Sequence, residues 1–298
     1  MSPEVSDSSW ENALRIVHNS LHPSPALKRL VRNSWTATTS TQEFMSHFHI
    51  TRLPASGIIR AARNFDPSIQ DLESAVRMTG VRYAACVAAI HFTCQEILRA
   101  GISERLWIPL LRDLMNSIEM GHHVGSTVNV LGPESGLLIG FAQRVGRCIL
   151  LISRHQPDLR VSELKDLSPT FWLTNYGCEP YQVSSLMLQH LGFGTHLAST
   201  AATTLGNLAG HINEHDEITQ LWSAANDWIS CLAQGRRAPV RLHSQRFFPE
   251  LNASAIEGEI ATFLEILYSQ IDAVRENNSS WNWHLPEQSY HETAASIG

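Results

Sequence analysis

The sequence predicts an all-α protein, and three observations predict it. Nearly every segment with a hydrophobic period repeats its apolar residues at steps of three and four. No stretch of four or more residues sustains the β-branched alternation of a half-buried strand. The stretch 134–153 is apolar almost all round, as the central helix of a bundle is. No internal repeat of 20 to 50 residues accompanies them.

Each element has its own signals. Trp10 to Asn19 sets Leu14, Val17 and His18 along one face. Pro25 to Asn33 has Ser24 as N-cap and Pro25 at the first helical position, where its missing N–H costs nothing. Thr41 to His49 spaces Phe44, Met45 and Phe48 helically, and Pro54 to Phe65 does the same with Ile58, Ile59, Ala62 and Phe65. Asp66-Pro67 ends that helix, because the residue before proline avoids helical geometry. Asp71 to Met78 is short and stops near Gly80, Val81 to Ala100 is long and alanine-rich, and Trp107 to Leu131 is punctuated by Gly121 and Gly125. Gly132-Pro133 separates it from the apolar helix Glu134 to Ser153. A short helical region at 161–167 follows, then helices at Pro180 to Leu191, Thr195 to Asn207 and Glu214 to Ala233. Gly235 to Pro249 reads as a polar, Arg-rich connection, Ala255 to Glu276 as a final amphipathic helix, and 277–298 as a mobile, turn-rich tail.

Composition narrows the function. The 298 residues suffice for one large domain or two small ones, and 43% hydrophobic against 17% charged residues describes a globular chain. A net charge of −6 argues against general nucleic-acid binding. Basic charge is nearly all arginine, with Lys28 and Lys165 the two lysines, a bias that reflects genome composition. The five cysteines (86, 94, 148, 178 and 231) form no C-x-x-C pair and read as buried thiols of a reducing compartment. The N-terminal residues carry no secretory pattern, and no uninterrupted apolar run reaches the roughly 18 residues of a spanning helix, so the expected location is cytoplasmic.

Several patterns invite chemistry. His211-Ile-Asn-Glu214-His215 matches H-x-x-E-H, in which two histidines one turn apart hold zinc and the glutamate acts as base. Against that metal site stands the reading of 210–216 as a helix start, with Asn213, Glu214, His215 and Asp216 as capping residues. His122 and His123, adjacent on one helix, point about 100° apart and share no ion, one facing the core and one the solvent. His47 and His49 diverge in the same way, and His91 reads as a hydrogen-bonded core residue. Arg236, Arg237, Arg241 and Arg246 beside Phe247 and Phe248 suit either a single-stranded nucleic acid or an interdomain contact. Trp281 and Trp283, in a polar tail, have the look of docking anchors. No Ser/His/Asp nucleophile context, P-loop or G-x-G-x-x-G appears.

Three separated blocks resemble the HDOD family, bacterial signalling modules related to HD-superfamily phosphohydrolases. The first, ITRLPASGIIRAARNF (Ile50 to Phe65), is similar to the family's D-P-A-L-A-A-R-L-L-R-L-A-N-S helix, with Asn64 near its asparagine and Leu53 in place of its aspartate. The second, Ser68 to Ile90, resembles S-I-x-x-A-I-x-x-L-G-L-x-x-V through Ile69, Ala75, Val76, Gly80 and Val81, with Thr79 replacing a leucine. The third joins LWIPLLRDLM to LLIGFAQRVGRCIL (Leu137 to Leu150) and is similar to the family's L-W-x-H-S and G-L-L-H-D-I-G-K helices. There Gln143 and Arg144 stand where the HD superfamily has its metal-binding His-Asp pair, and Pro109 stands where L-W-x-H supplies a histidine. Glu179-Pro180-Tyr181 falls where a D-H-A-E-x-G segment would begin.

The resemblance spans about residues 20–235 and implies a helical N-terminal cluster plus a degenerate HD-like bundle, with 236–276 as a connection and C-terminal helix. It implies a non-catalytic cytoplasmic signalling protein acting through protein partners, without metal, cofactor or membrane. Two alternatives stay open. One is a metal-dependent hydrolase with displaced ligands His211, Glu214 and His215; the other is a small-molecule sensor around Gln143. At the vestigial site, Gln143 and Arg144 either line a pocket for an anion or nucleotide, or are consumed structurally, the glutamine by backbone and the arginine by Glu119 or Asp113.

Overall fold

A computed structural model describes residues 7–36, 38–100, 104–154, 167–206, 215–251, 259–276 and 280–281. Among these residues every regular element is helical. The helices are α1 (Asp7–Ser20), α2 (Pro25–Thr36), α3 (Thr41–Thr51), α4 (Ser56–Ala62), α5 (Leu72–Thr79), α6 (Val81–Arg99) and α7 (Glu104–Thr127). They continue with α8 (Pro133–Ser153), α9 (Pro169–Tyr176), α10 (Pro180–Leu191), α11 (Thr195–Leu205), α12 (Glu217–Ala233), α13 (Leu242–Phe247) and α14 (Glu259–Arg275).

Local chemistry sets the boundaries. Ser40 caps α3 by accepting the Glu43 N–H while the Glu43 carboxylate accepts the Ser40 N–H, a reciprocal pair that satisfies two orphan donors. Asp71, Ser168 and Asp216 cap α5, α9 and α12 by the side-chain half of that pattern alone, accepting the N–H of Ser74, Phe171 and Thr219. Gly80, at φ 84°, carries the chain from α5 into α6 through a conformation that L-residues rarely adopt.

Packing follows the apolar faces. The cluster α2–α6 closes through contacts of α2 with α3 and α6, and of α4 and α5 with each other and with α6. The bundle is built around α8, which touches α1, α6, α7, α10, α11 and α12. By length and composition this 21-residue helix could cross a membrane, yet 72% of its most apolar stretch is buried in the protein, as a core helix requires. The helix is apolar on average despite the absence of an unbroken apolar run, because Gln143 and the arginines interrupt the run without lowering its mean hydropathy far.

The tightest interface joins α7 to α8. Ser117, Gly121 and Gly125 on α7 face Gly132, Gly136 and Gly140, which reach from the turn into α8. A Cβ on Gly121 would lie 2.1 Å from the Gly136 carbonyl oxygen, and one on Gly136 would lie 2.0 Å from that of Gly121. The two helices therefore meet backbone to backbone, as small residues spaced by four allow.

The sequence missed two helices. Ser168-Pro169 starts α9, and α13 lies inside the 235–249 segment read as a connection. There Trp228 Nε1 donates to the Ser244 carbonyl, and the Ser244 hydroxyl donates to Asp227, so a polar sequence is folded onto α12 by buried hydrogen bonds. Of the region expected at 161–167, residues 161–166 lie outside the described residues. So do most of 277–298; the two described there, Ser280 and Trp281, are packed on the body, with Trp281 fully buried.

Candidate functional site

Gln143 sits midway along α8, where α7 and α12 converge, and its side chain ties the three helices together. Its Nε2 donates to the Asn226 carbonyl at 3.1 Å and to Asn226 Oδ1 at 2.8 Å, with Ser230 Oγ at 3.4 Å. Its Oε1 lies 3.1 Å from the Ser117 hydroxyl, which is also 2.8 Å from the Gly140 carbonyl, so one proton is shared between two acceptors. Ser117 and Asn226 are 26 residues before and 83 residues after Gln143, contacts that helical periodicity alone does not reveal.

Arg144 Nε lies 3.3 Å from Asp113 Oδ2, an ion pair between α8 and α7. Of the two acids open as partners for Arg144, Asp113 is the one in place. Arg147, a turn further on, is largely buried; burial and then the charge of Arg144 hold its pKa below the usual guanidinium value, while Asp113 acts the other way. This stretch of α8 thus carries two guanidinium groups beside one carboxylate. Pro109 lies inside α7, half-buried, and offers no donor atom to a metal. Glu179 serves as the N-cap position of α10, its N–H donating to Gln182 Oε1 at 2.8 Å. Among the described residues no group of three or more His, Cys, Asp or Glu side chains could hold a metal ion.

Of the H-x-x-E-H segment, His211 and Glu214 lie outside the described residues. His215 precedes the Asp216 N-cap and its carbonyl accepts from Gln220 Nε2 at 2.7 Å, so this histidine stands outside α12. The histidine pair divides between environments. His122 is buried edge-on to Phe65 and Tyr83, and burial pushes its pKa down to about 3. His123 is half-buried, with Nε2 3.7 Å from the Glu119 carboxylate. His91 is buried, with its Nε2 3.3 Å from Gln95 Nε2. His47 is half-buried, its Nδ1 2.7 Å from the Glu43 carbonyl.

Glu119, the other acid open to Arg144 in the sequence, serves a different purpose. Its carboxylate accepts the Ser280 N–H at 3.0 Å and the Ser280 hydroxyl at 2.6 Å, pinning the C-terminal segment to α7 beside the buried Trp281. The Arg-rich stretch is dispersed likewise. The Arg237 guanidinium stacks 4.6 Å over the Tyr268 ring, Arg241 lies 3.7 Å from Asp227, and Phe248 is buried. Those groups hold α13 and α14 to α12 rather than offering one basic, aromatic face.

All five cysteines are buried and unpaired. Burial raises the pKa of each, to about 12 for Cys148 and Cys178 and about 11 for Cys231, so none is a ready thiolate.

No protein-family model matches the chain, and no curated protein matches it by sequence. Among solved structures, a crystal structure of an HDOD domain protein of unknown function from Geobacter sulfurreducens superposes with a TM-score of 0.60 at 11% identity. The match covers 94% of this chain and 99% of that one. At that identity the likeness is one of architecture: the chain has the HDOD fold.

Proposed function

We propose that this is a non-catalytic bacterial regulatory protein of the cytoplasm, acting through contacts with protein partners, in which the HD-type metal position has become a structural knot. The observation that carries the reading is the use of Gln143 and Arg144. One is spent crosslinking α7, α8 and α12; the other is a cation paired to Asp113 where a metal ligand would stand. HD-type hydrolysis needs a metal to acidify water and polarise the phosphoryl oxygen, and a guanidinium in the ligand position repels that metal. The regulatory half rests on the HDOD fold, which is analogy at the level of architecture.

The test is metal content per chain of protein purified without chelator, together with hydrolysis of bis(p-nitrophenyl) phosphate in added manganese or iron. The reading expects substoichiometric metal and no turnover, and a protein that co-purifies in fixed ratio from the native cells. One equivalent of metal, lost with His211→Ala, would overturn it in favour of displaced ligands.

A further inference from the structure

A cleft of about 570 Å³ opens away from Gln143, where α1, α9 and the C-terminal ends of α6 and α8 meet. That volume lies in the usual range for small-molecule sites. Three arginines line it: Arg15 on α1, Arg99 in the last turn of α6, and Arg154 at the C-cap of α8. Among the described residues the one acid in the lining, Glu96, is paired with Arg99 at 2.5 Å. Arg15 and Arg154 instead donate to uncharged acceptors, Asn12 Oδ1 at 2.6 Å and the Asn175 carbonyl at 2.5 Å. Among the described residues of the lining, two positive charges thus have no acidic partner, in a chain of net charge −6.

A second observation is independent of that charge count. Tyr176, 8% exposed, belongs to the same lining, and its buried hydroxyl has no hydrogen-bond partner among the described residues. A buried orphan donor is unusual in a native fold and marks a place where a ligand or ordered water completes the bonding. Burial pushes this phenol up to about 12, and Arg154 is close enough to pull it partly back, so the guanidinium and the hydroxyl share one neighbourhood. Ile16 and Ile152 supply apolar wall.

We propose that this cleft binds a small organic dianion of the phosphate-monoester class. The phosphoryl group sits between the Arg15 and Arg154 guanidinium forks. The Tyr176 hydroxyl donates to it directly or through a water, and the ester group rests against Ile16 and Ile152. Guanidinium forks match phosphate oxygens bidentately, and a dianion balances two charges where a carboxylate balances one. The site is separate from the Gln143 knot, so it stands or falls independently of the loss of the metal position.

The test is isothermal titration of the full chain at low ionic strength with phenyl phosphate, inorganic phosphate and benzoate. Phenyl phosphate is expected to bind with a Kd below about 1 mM, and each of the others at least about tenfold more weakly. Arg15→Gln/Arg154→Gln, both at exposed positions, is expected to abolish binding without moving the melting temperature. Tyr176→Phe keeps the ring and removes the orphan hydroxyl; it is expected to weaken binding while leaving stability unchanged or raised. Absence of phenyl phosphate binding at about 10 mM, or binding undiminished in the double arginine variant, would overturn the site. Benzoate binding as tightly as phenyl phosphate would overturn its assignment to dianions, and equal binding of inorganic phosphate would overturn the apolar half.

Discussion

Gly136→Ala is the sharpest perturbation of this fold. The new methyl would lie 2.0 Å from the Gly121 carbonyl oxygen and 2.9 Å from both the Gly121 carbonyl carbon and Gly125 Cα, whereas real Cβ contacts hardly ever fall below 3.0 Å. The obstacle is backbone, which cannot rotate aside, so α7 and α8 must separate by about 1 Å along their tightest interface. Overpacking of this kind costs about 1–3 kcal/mol and sometimes more, and alanine returns about 1 kcal/mol of helix propensity. With no side chain able to yield, the upper end applies and the net loss is at least about 2 kcal/mol. Urea unfolding followed by helical ellipticity measures it. Gly121→Ala aims its methyl at the Gly136 carbonyl across the same contact, so one separation relieves both clashes. The double variant should therefore lose much less than the sum of the singles. A Gly136→Ala protein as stable as the parent, or strict additivity of the two changes, would refute the backbone-to-backbone reading.

The other outcomes are quicker to state. Gln143→Ala removes the donor to both Asn226 oxygens while Ser117 keeps the Gly140 carbonyl, and should cost about 1–3 kcal/mol in the same urea assay, without altering any metal content. His122 is neutral and buried in the fold, with a pKa near 3 against an ordinary 6.5, so below pH 6.5 the unfolded chain binds a proton that the folded chain does not. Its contribution is present above pH 6.5 and is lost as pH falls toward 3, at up to about 1.4 kcal/mol per pH unit; His122→Phe should flatten the stability–pH slope by as much as one proton. Trp281→Ala empties a fully buried site and should cost about 3–5 kcal/mol, read as a lower urea midpoint and as faster proteolysis of the C-terminal segment.

Much of this architecture was legible, and the failures have physical causes. Pro180 to Leu191 was bounded correctly because proline at the first position and Gly192 after the last are both local signals. Boundaries elsewhere moved by a few residues, as fraying ends do; Pro54 to Phe65 shrank to Ser56–Ala62, its last residues forming a turn. The glycines at 121, 125, 136 and 140 were visible but read as punctuation. Glycine lowers helix propensity, and its value as a contact surface shows only when the facing helix is known. That Gln143 and Arg144 are no His-Asp pair was plain in the sequence. What their side chains do was not, because Asn226 and Asp113 come from other helices. The arginine cleft escaped notice because Arg15, Arg99 and Arg154 lie far apart in the chain. The tail misled because Ser280 and Trp281 stand in a polar context, and no periodicity marks two residues.

The pinning of Ser280 to Glu119 across 161 residues also orders events in time. A chain emerging from the ribosome completes α7 long before these donors exist, so Glu119 has no Ser280 N–H or hydroxyl to accept until 161 further residues have been added. A nascent chain that stalls short of residue 281 would hold most of its helices yet lack the Trp281 side chain that fills a fully buried site.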